Sequence, residues 1–250
     1  MSIKPTIRKA GPVLKFLPDF LTLLNLFSGF MALWLILHGQ EGPAIFCIWL
    51  ALLWDSLDGN VARIFGIATE FGRELDSLSD MVSFGVAPAM LAANLLGHLT
   101  DSWPFLLVFV YLGAVAYRLA RFNIRPVIKG EFEGLPAPAA AITLSALVLA
   151  SIKNGWVNLT CFAPLLLVFL FIGAFLMVSR VPYPKVSTLP FERWQSLLWL
   201  EIGICLLGLI SLNAETALAG SCLFFVLAGP LYCMTPGRIF SWKTAVPPAE

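Results

Sequence analysis

The sequence predicts an all-α integral membrane protein, a polytopic bundle of about eight transmembrane helices. Its 250 residues are 59% hydrophobic and only 12% charged, roughly half the charge that a soluble domain carries. The mean hydropathy is +0.86, and uncharged apolar runs reach the length of about 18 residues that crosses a bilayer. A net charge of +1 gives no bulk attraction to nucleic acid, so no nucleic-acid partner is expected.

Eight apolar segments are expected to form these helices. The third is the least apolar, because Arg73, Glu74, Asp76 and Asp80 lie in its first half. We expect it to begin in the aqueous interface and to kink at Pro88, since proline interrupts helical hydrogen bonding. The segments run roughly over 19–38, 43–66, 72–98, 104–124, 136–152, 161–178, 196–212 and 216–234.

The distribution of basic residues supports an even number of spans. With eight helices, both termini and every second connection lie on one side of the membrane. That side collects all 16 Lys and Arg residues except Lys153. Basic residues accumulate on the cytoplasmic face, so we expect a multi-pass protein of the cytoplasmic (inner) membrane of the cell, with both termini in the cytoplasm.

Four aspartates stand at helical spacing around the connection between the second and third segments. Asp55 and Asp58 are three residues apart, and Asp76 and Asp80 are four apart, so each pair shares one face of a helix. A carboxylate near hydrocarbon is costly and usually has a partner, and four close carboxylates repel one another unless cations neutralise them. Oxygen ligands suit Mg²⁺ or Mn²⁺, and two such ions can clamp the reacting oxygens of phosphoryl transfer. The sequence therefore predicts a metal site near the cytoplasmic face.

Small and basic residues next to the aspartates fit a phosphate-bearing ligand. Gly59 follows Asp58, where a side chain would crowd an incoming phosphate, and Arg63 is a planar donor suited to phosphate. The pair Asp55 and Asp58 alone would also suit a proton or Na⁺ relay in a cation transporter. Carboxylates gathered near one face, rather than at the midplane of the bilayer, argue against a transporter.

These residues form the pattern D-x2-D-G-x2-A-R-x8-G-x3-D-x3-D, which resembles the signature of the CDP-alcohol phosphotransferase family. Every defined position matches. The matching residues are Asp55, Asp58, Gly59, Ala62, Arg63, Gly72, Asp76 and Asp80. The resemblance implies a membrane enzyme that transfers a phosphatidyl or phosphoalcohol group from a CDP-linked donor to a hydroxyl and releases CMP. It also implies a core over 18–178, preceded by a juxtamembrane segment (1–17) and followed by an extension (179–250) with two further helices.

The resemblance also implies roles for individual residues. Asp55, Asp58 and Asp76 would bind two divalent cations, with Asp55 and Asp76 bridging them. Asp80 would complete the shell of the second cation and act as general base. The residues implied at the CDP-lipid are Gly59, Ala62, Arg63, Thr69, Gly72, Pro18 and Asp19. Asp19 replaces the Asn that the family usually carries after this proline. A homodimer is implied as well.

Further segments resemble the serine-using branch of the family, the membrane-embedded phosphatidylserine synthases of bacteria and archaea. The segments are 83–88, 117–123, 132–138 and 176–179. The expected substrates are therefore CDP-diacylglycerol and L-serine. Glycerol 3-phosphate, inositol phosphate and choline remain alternative acceptors.

Three arginines are candidates for holding the serine carboxylate or a lipid phosphate. Arg118 and Arg121 are three residues apart on one helical face, and Arg180 follows the sixth segment. All three would also suit cationic anchors that reach the headgroups, and this interpretation is favoured for Arg180. Glu201, inside the seventh segment, has no functional interpretation.

Overall fold

The computed structural model describes residues 16–67, 69–97, 104–124, 131–156, 162–184 and 214–233. Within these ranges the protein is helical, apart from two short strands. The helices are α1 (Leu17–Leu37), α2 (Glu41–Phe65), α3 (Glu70–Gly97), α4 (Pro104–Ile124), α5 (Ala137–Lys153), α6 (Phe162–Val178) and α7 (Ala214–Cys233). The strands are β1 (Glu131–Glu133) and β2 (Pro182–Pro184). Each predicted segment coincides with a helix, except 196–212, which lies outside the described residues together with Glu201.

The protein is a multi-pass helical membrane protein. By length and composition, α1 to α4 are long and apolar enough to cross a membrane, and α5, α6 and Leu218–Pro230 of α7 are shorter apolar helices. Large apolar side chains point outward along these helices, as a lipid environment permits. On α1, Phe20, Phe27 and Trp34 are each more than half exposed.

The turn between α2 and α3 places the aspartate-bearing ends of both helices together. α2 ends at Gly66, whose φ of 64° is the left-handed conformation that terminates many helices. Thr69 then caps α3, because its Oγ1 accepts a hydrogen bond from the Gly72 N–H at 2.9 Å. Helix α1 packs against both α2 and α3, which holds the two helices in place on either side of this turn.

A π-helical turn interrupts α3 directly after Asp80. It spans Met81–Val86, and the Ala87 N–H bonds to the Val82 carbonyl. The expected irregularity at Pro88 therefore takes the form of a π-helical turn that precedes the proline. In an α-helix the Phe84 carbonyl would accept from residue 88, which as proline has no N–H. The buried Tyr111 hydroxyl of α4 donates to this carbonyl instead, at 3.1 Å.

The two strands pair with each other, and β2 packs against α7. β1 and β2 pair antiparallel, with Phe132 opposite Tyr183. The Tyr183 side chain is buried and its hydroxyl donates to the Val226 carbonyl of α7 at 2.8 Å. A methyl group on Gly229 would lie 2.6 Å from Tyr183 Cε1, so the tyrosine ring packs directly against the backbone of α7. α7 otherwise packs mainly against α5.

Candidate metal centre

Three of the predicted carboxylates converge on one point. Asp55 of α2 and Asp76 and Asp80 of α3 each offer an oxygen, and these oxygens all lie within 4.8 Å of one another. Asp55 and Asp76 are half-buried, and Asp80 is only 8% exposed. Helical spacing places Asp76 and Asp80 on one face of α3, and α1, which packs against both α2 and α3, holds the helices where these oxygens meet.

The fourth carboxylate, Asp58, lies beside this group but is not part of it. Its side chain is 5% exposed, and its Oδ2 accepts a 2.7 Å hydrogen bond from Thr22 Oγ1 of α1. Asp58 still interacts electrostatically with Asp55, Asp76 and Asp80. The four aspartates therefore form a single cluster of negative charge.

Helix α1 supplies neutral hydrogen-bond donors to the cluster. Besides the bond from Thr22, Asn25 Nδ2 donates to Asp80 Oδ1 at 3.0 Å. Neither residue was singled out from the sequence. Thr22, Asn25 and Ser28 recur every third position on α1, and all three are buried. That periodicity marks one polar face, and it was the available signal.

The donor set fits a divalent cation. Asp76 Oδ1 is buried and, among the described residues, has no hydrogen-bond partner. An ionised carboxylate only accepts hydrogen bonds, so this oxygen is left for a cation or a water. Three carboxylates at this separation supply the hard oxygen ligands that Mg²⁺ and Mn²⁺ prefer. The cluster could therefore hold a divalent metal.

The two predicted glycines near the cluster, Gly59 and Gly72, have different surroundings. A methyl group on Gly59 would meet no atom within 4 Å, so the chain leaves room directly after Asp58. A methyl group on Gly72 would lie 3.1 Å from both Asp19 Oδ1 and Thr69 Oγ1. Gly72 thus allows the start of α3 to approach α1 near Asp19.

The remaining candidates for the CDP-lipid lie near the start of α1 and near the end of α2. Pro18 is buried on α1 and accepts a 3.0 Å hydrogen bond from Thr22 Oγ1. Ala62 is half-buried on α2. Arg63 is exposed and donates to the Gly59 carbonyl and to Asn60 Oδ1, both at 2.9 Å. Its guanidinium is held on its own helix beside the open space at Gly59.

The structure separates the three candidate arginines. Arg118 of α4 is 8% exposed, lies within electrostatic reach of Asp80, and its Nε has no hydrogen-bond partner in the described part of the chain. Arg121 instead donates to the Val178 carbonyl at 2.8 Å and to the Ser179 carbonyl at 3.2 Å. It therefore satisfies carbonyls at the end of α6. Arg180 is exposed just beyond that helix.

The chain is similar in sequence to known proteins of one family. The family model described as CDP-alcohol phosphatidyltransferase matches residues 15–179. A CDP-diacylglycerol–serine O-phosphatidyltransferase of Mycobacterium leprae is 33% identical over 261 residues, covering 100% of this chain and 83% of that protein. One of Helicobacter pylori is 33% identical, covering 76% of this chain and 79% of its own length. An archaetidylserine synthase of Methanothermobacter thermautotrophicus is 36% identical, with coverage of 68% and 70% respectively.

Proposed function

The chain belongs to the CDP-alcohol phosphatidyltransferase family, and we propose that it transfers the phosphatidyl group of CDP-diacylglycerol to L-serine, giving phosphatidylserine and CMP. The observation that carries the proposal is the convergence of Asp55 on α2 with Asp76 and Asp80 on α3. The names of the similar proteins support serine as the acceptor, because the relatives from Mycobacterium leprae and Helicobacter pylori are both named for transfer to serine.

Asp80 is the proposed general base. It takes the proton of the serine hydroxyl, whose oxygen attacks the phosphorus that carries diacylglycerol. The bond from that phosphorus to the oxygen of CMP breaks, and CMP leaves with the electron pair. Asp80 suits this role because it lies beside Asp55 and Asp76 and Asn25 holds one of its oxygens.

The four aspartates are the residues that would hold two divalent cations, Mg²⁺ or Mn²⁺. When bound, such ions would neutralise the pyrophosphate of the donor and the charge that develops on the leaving CMP. The unpartnered oxygen of Asp76 supports this assignment.

The CDP-lipid is proposed to lie against the turn between α2 and α3. The open space at Gly59 admits its pyrophosphate, and Arg63 lies beside that space. Ala62 has a small side chain and Gly72 has none, so the CDP-lipid can approach the backbone of α2 and α3 at these positions. Thr69, Pro18 and Asp19 line the α1 side of the same region, which is supported by the approach of Asp19 to Gly72.

Serine is proposed to bind between the carboxylate cluster and α4. Arg118 is the first candidate for its carboxylate, because a buried guanidinium with an unsatisfied donor favours an anionic partner. Arg121 and Arg180 belong to the same basic region at the ends of α4 and α6 and are candidates for a lipid phosphate.

The proposed location is the cytoplasmic (inner) membrane, with both termini and the site on the cytoplasmic side. The concentration of basic residues on one side of the predicted topology supports this orientation. A homodimer is proposed from family membership.

The decisive experiment supplies the purified protein, in vesicles with CDP-diacylglycerol and Mn²⁺, with labelled serine, glycerol 3-phosphate, inositol phosphate or choline. We expect CMP release and labelled lipid with serine alone. Asp80→Asn should still bind CDP-diacylglycerol but lose nearly all turnover, whereas near-normal turnover would refute the assignment of the base. Labelled lipid from another acceptor would make that compound the acceptor substrate in place of serine. Cation flux without CMP release would indicate a transporter.

A further inference from the structure

We propose that Asn25 is a positioning residue for Asp80, and that the close contact between Gly29 and Ser83 sets its place. The inference rests on the proposed function, in which Asp80 is the general base. Asn25 lies on α1, is 0% exposed, and donates from Nδ2 to Asp80 Oδ1 at 3.0 Å. With Oδ1 held by the amide, the Asp80 carboxylate keeps one orientation toward the reacting hydroxyl.

The amide has one favourable orientation at this place. Nδ2 donates to the carboxylate, while Asn25 Oδ1 is buried without a partner among the described residues. The opposite orientation would bring the amide oxygen against an oxygen of Asp80, placing two acceptors face to face. Asn25 can therefore restrain the rotation of the Asp80 carboxylate.

A second hydrogen bond fixes Asn25 itself. Ser83 Oγ donates to the backbone carbonyl of Asn25 at 2.9 Å. Ser83 is three residues after Asp80 and lies in the π-helical turn. One segment of α3 thus holds the backbone of Asn25 and receives its side chain, so the two bonds define how α1 sits along α3.

Gly29 makes this arrangement possible, because it lies one helical turn beyond Asn25 against the same serine. A methyl group on Gly29 would lie 2.8 Å from Ser83 Cα and would collide with Ser83 Oγ. Any side chain at this position would force α1 and α3 apart where the two hydrogen bonds form. The glycine therefore fixes the distance between the amide and the carboxylate.

The positioning matters because proton transfer to a base depends steeply on geometry. The base must lie within about 2.6–3.2 Å of the group that it deprotonates, and a misplacement of about 1 Å can lower a rate roughly 100-fold. The Asp80 carboxylate can rotate about its side-chain bonds, and the residue directly precedes the π-helical turn. A restraint on this carboxylate from a neighbouring helix therefore has a direct effect on turnover.

The first test compares Asn25→Leu with the wild-type protein. Leucine has a similar size, lacks the donor, and is compatible with an apolar helix. At saturating Mn²⁺ we expect kcat to fall about 10- to 100-fold, while the KM for CDP-diacylglycerol stays within about twofold. A merely structural role would change the melting temperature and that KM together with kcat. Unchanged kcat, or a loss confined to KM, would overturn the inference.

The second test moves Asn25 without altering it. Gly29→Ala should lower kcat in the same way as Asn25→Leu, and Ser83→Ala should lower it less. Gly113→Ala on α4 is the matched control, because a methyl group there meets no atom within 4 Å, and it should keep full kcat. If Gly29→Ala and Gly113→Ala turn over equally fast, the contact does not position the base. A wild-type protein that releases no CMP with any acceptor would refute the proposed function and this inference with it, whereas an active wild type beside a fully active Asn25→Leu refutes the inference alone.

Discussion

The Thr22 hydroxyl of α1 lies 2.7 Å from Oδ2 of Asp58 on α2. Thr22 is buried, and its hydroxyl also contacts the Pro18 carbonyl at 3.0 Å, so the side chain has one well-defined orientation. Through this bond, α1 orients one carboxylate of the cluster. Groups that orient metal ligands in this way contribute strongly to metal binding, although they never touch the metal.

Thr22→Val is therefore expected to weaken metal binding. Valine keeps the shape of threonine but leaves Asp58 without this donor, and losing such a partner typically costs about 10- to 100-fold in metal affinity. The measurement is a Mn²⁺ titration followed by electron paramagnetic resonance. Thr22→Ser keeps the donor and should bind Mn²⁺ normally. Thr143→Val is the matched control on α5, since Thr143 bonds to the Ala139 carbonyl of its own helix. Wild-type Mn²⁺ affinity in Thr22→Val would contradict the prediction.

Removing the metal should stop the reaction reversibly. EDTA is expected to abolish CMP release, and added Mg²⁺ or Mn²⁺ should restore it. Asp76→Asn should lose most activity at any metal concentration, because Asp76 offers an oxygen to the shared point and its buried Oδ1 has no hydrogen-bond partner among the described residues. Glu41→Gln, at the opposite end of α2 beside Asn94, should remain active.

Asp76→Asn and the wild-type protein should differ in melting temperature in EDTA and should respond differently to Mn²⁺. In EDTA, Asp76→Asn should melt above the wild-type protein, because one of four mutually repelling charges is gone. With Mn²⁺ the wild-type protein should gain stability and Asp76→Asn should gain little, since a ligand stabilises only the state that binds it. Equal gains in both proteins would mean that Mn²⁺ binds elsewhere.

Two neighbouring arginines should give different phenotypes. Arg118→Gln is expected to raise the KM for serine at least about tenfold, because a charge-assisted bond to the serine carboxylate contributes roughly 1.5–3 kcal/mol. Arg121→Gln should instead lower the melting temperature and leave that KM within about twofold, since Arg121 holds the Val178 and Ser179 carbonyls. Steady-state kinetics and thermal unfolding in detergent distinguish the two effects. A similar rise in KM in both variants would place Arg121 at the substrate as well.

The carboxylate cluster could be predicted because its parts are close in sequence. Asp55 and Asp58 share a face by helical spacing, and Gly66 and Thr69 are the residues that end one helix and begin the next. Such local signals fix which side chains share a face on each helix. The helix boundaries followed for the same reason, since apolar runs and their polar ends are local features.

Contacts between distant segments could not be predicted in this way. Which face of α1 turns toward Asp58 and Asp80 depends on packing among three helices, although the repeat of Thr22, Asn25 and Ser28 marked a polar face. Pro88 signalled an irregularity, but its effect falls on carbonyls before it, in the π-helical turn. The pairing of β1 with β2 joins segments separated by α5 and α6, and no local pattern specifies it.

The contact between Tyr183 and Gly229 should decide whether α7 docks on the core. A methyl group at Gly229 would lie 2.6 Å from Tyr183 Cε1, and overpacking of this kind typically costs about 1–3 kcal/mol. Gly229→Ala should therefore lower the melting temperature. The kcat of the folded fraction should be nearly unchanged, because α7 packs mainly against α5 and β2, away from the helices that carry the carboxylates.

A double-mutant cycle isolates this contact. Tyr183→Leu removes the ring and its hydrogen bond to the Val226 carbonyl, so it should be destabilising by itself. In the Tyr183→Leu background, however, Gly229→Ala should cost much less than in the wild-type protein, because the clash is gone. Gly113→Ala serves as the helical control and should melt at or above the wild-type temperature, since alanine favours helix over glycine by about 0.8–1.0 kcal/mol. Additive effects of the two substitutions would show that the ring and the glycine do not constrain each other, and the docking of α7 would then have to rest on its contacts with α5.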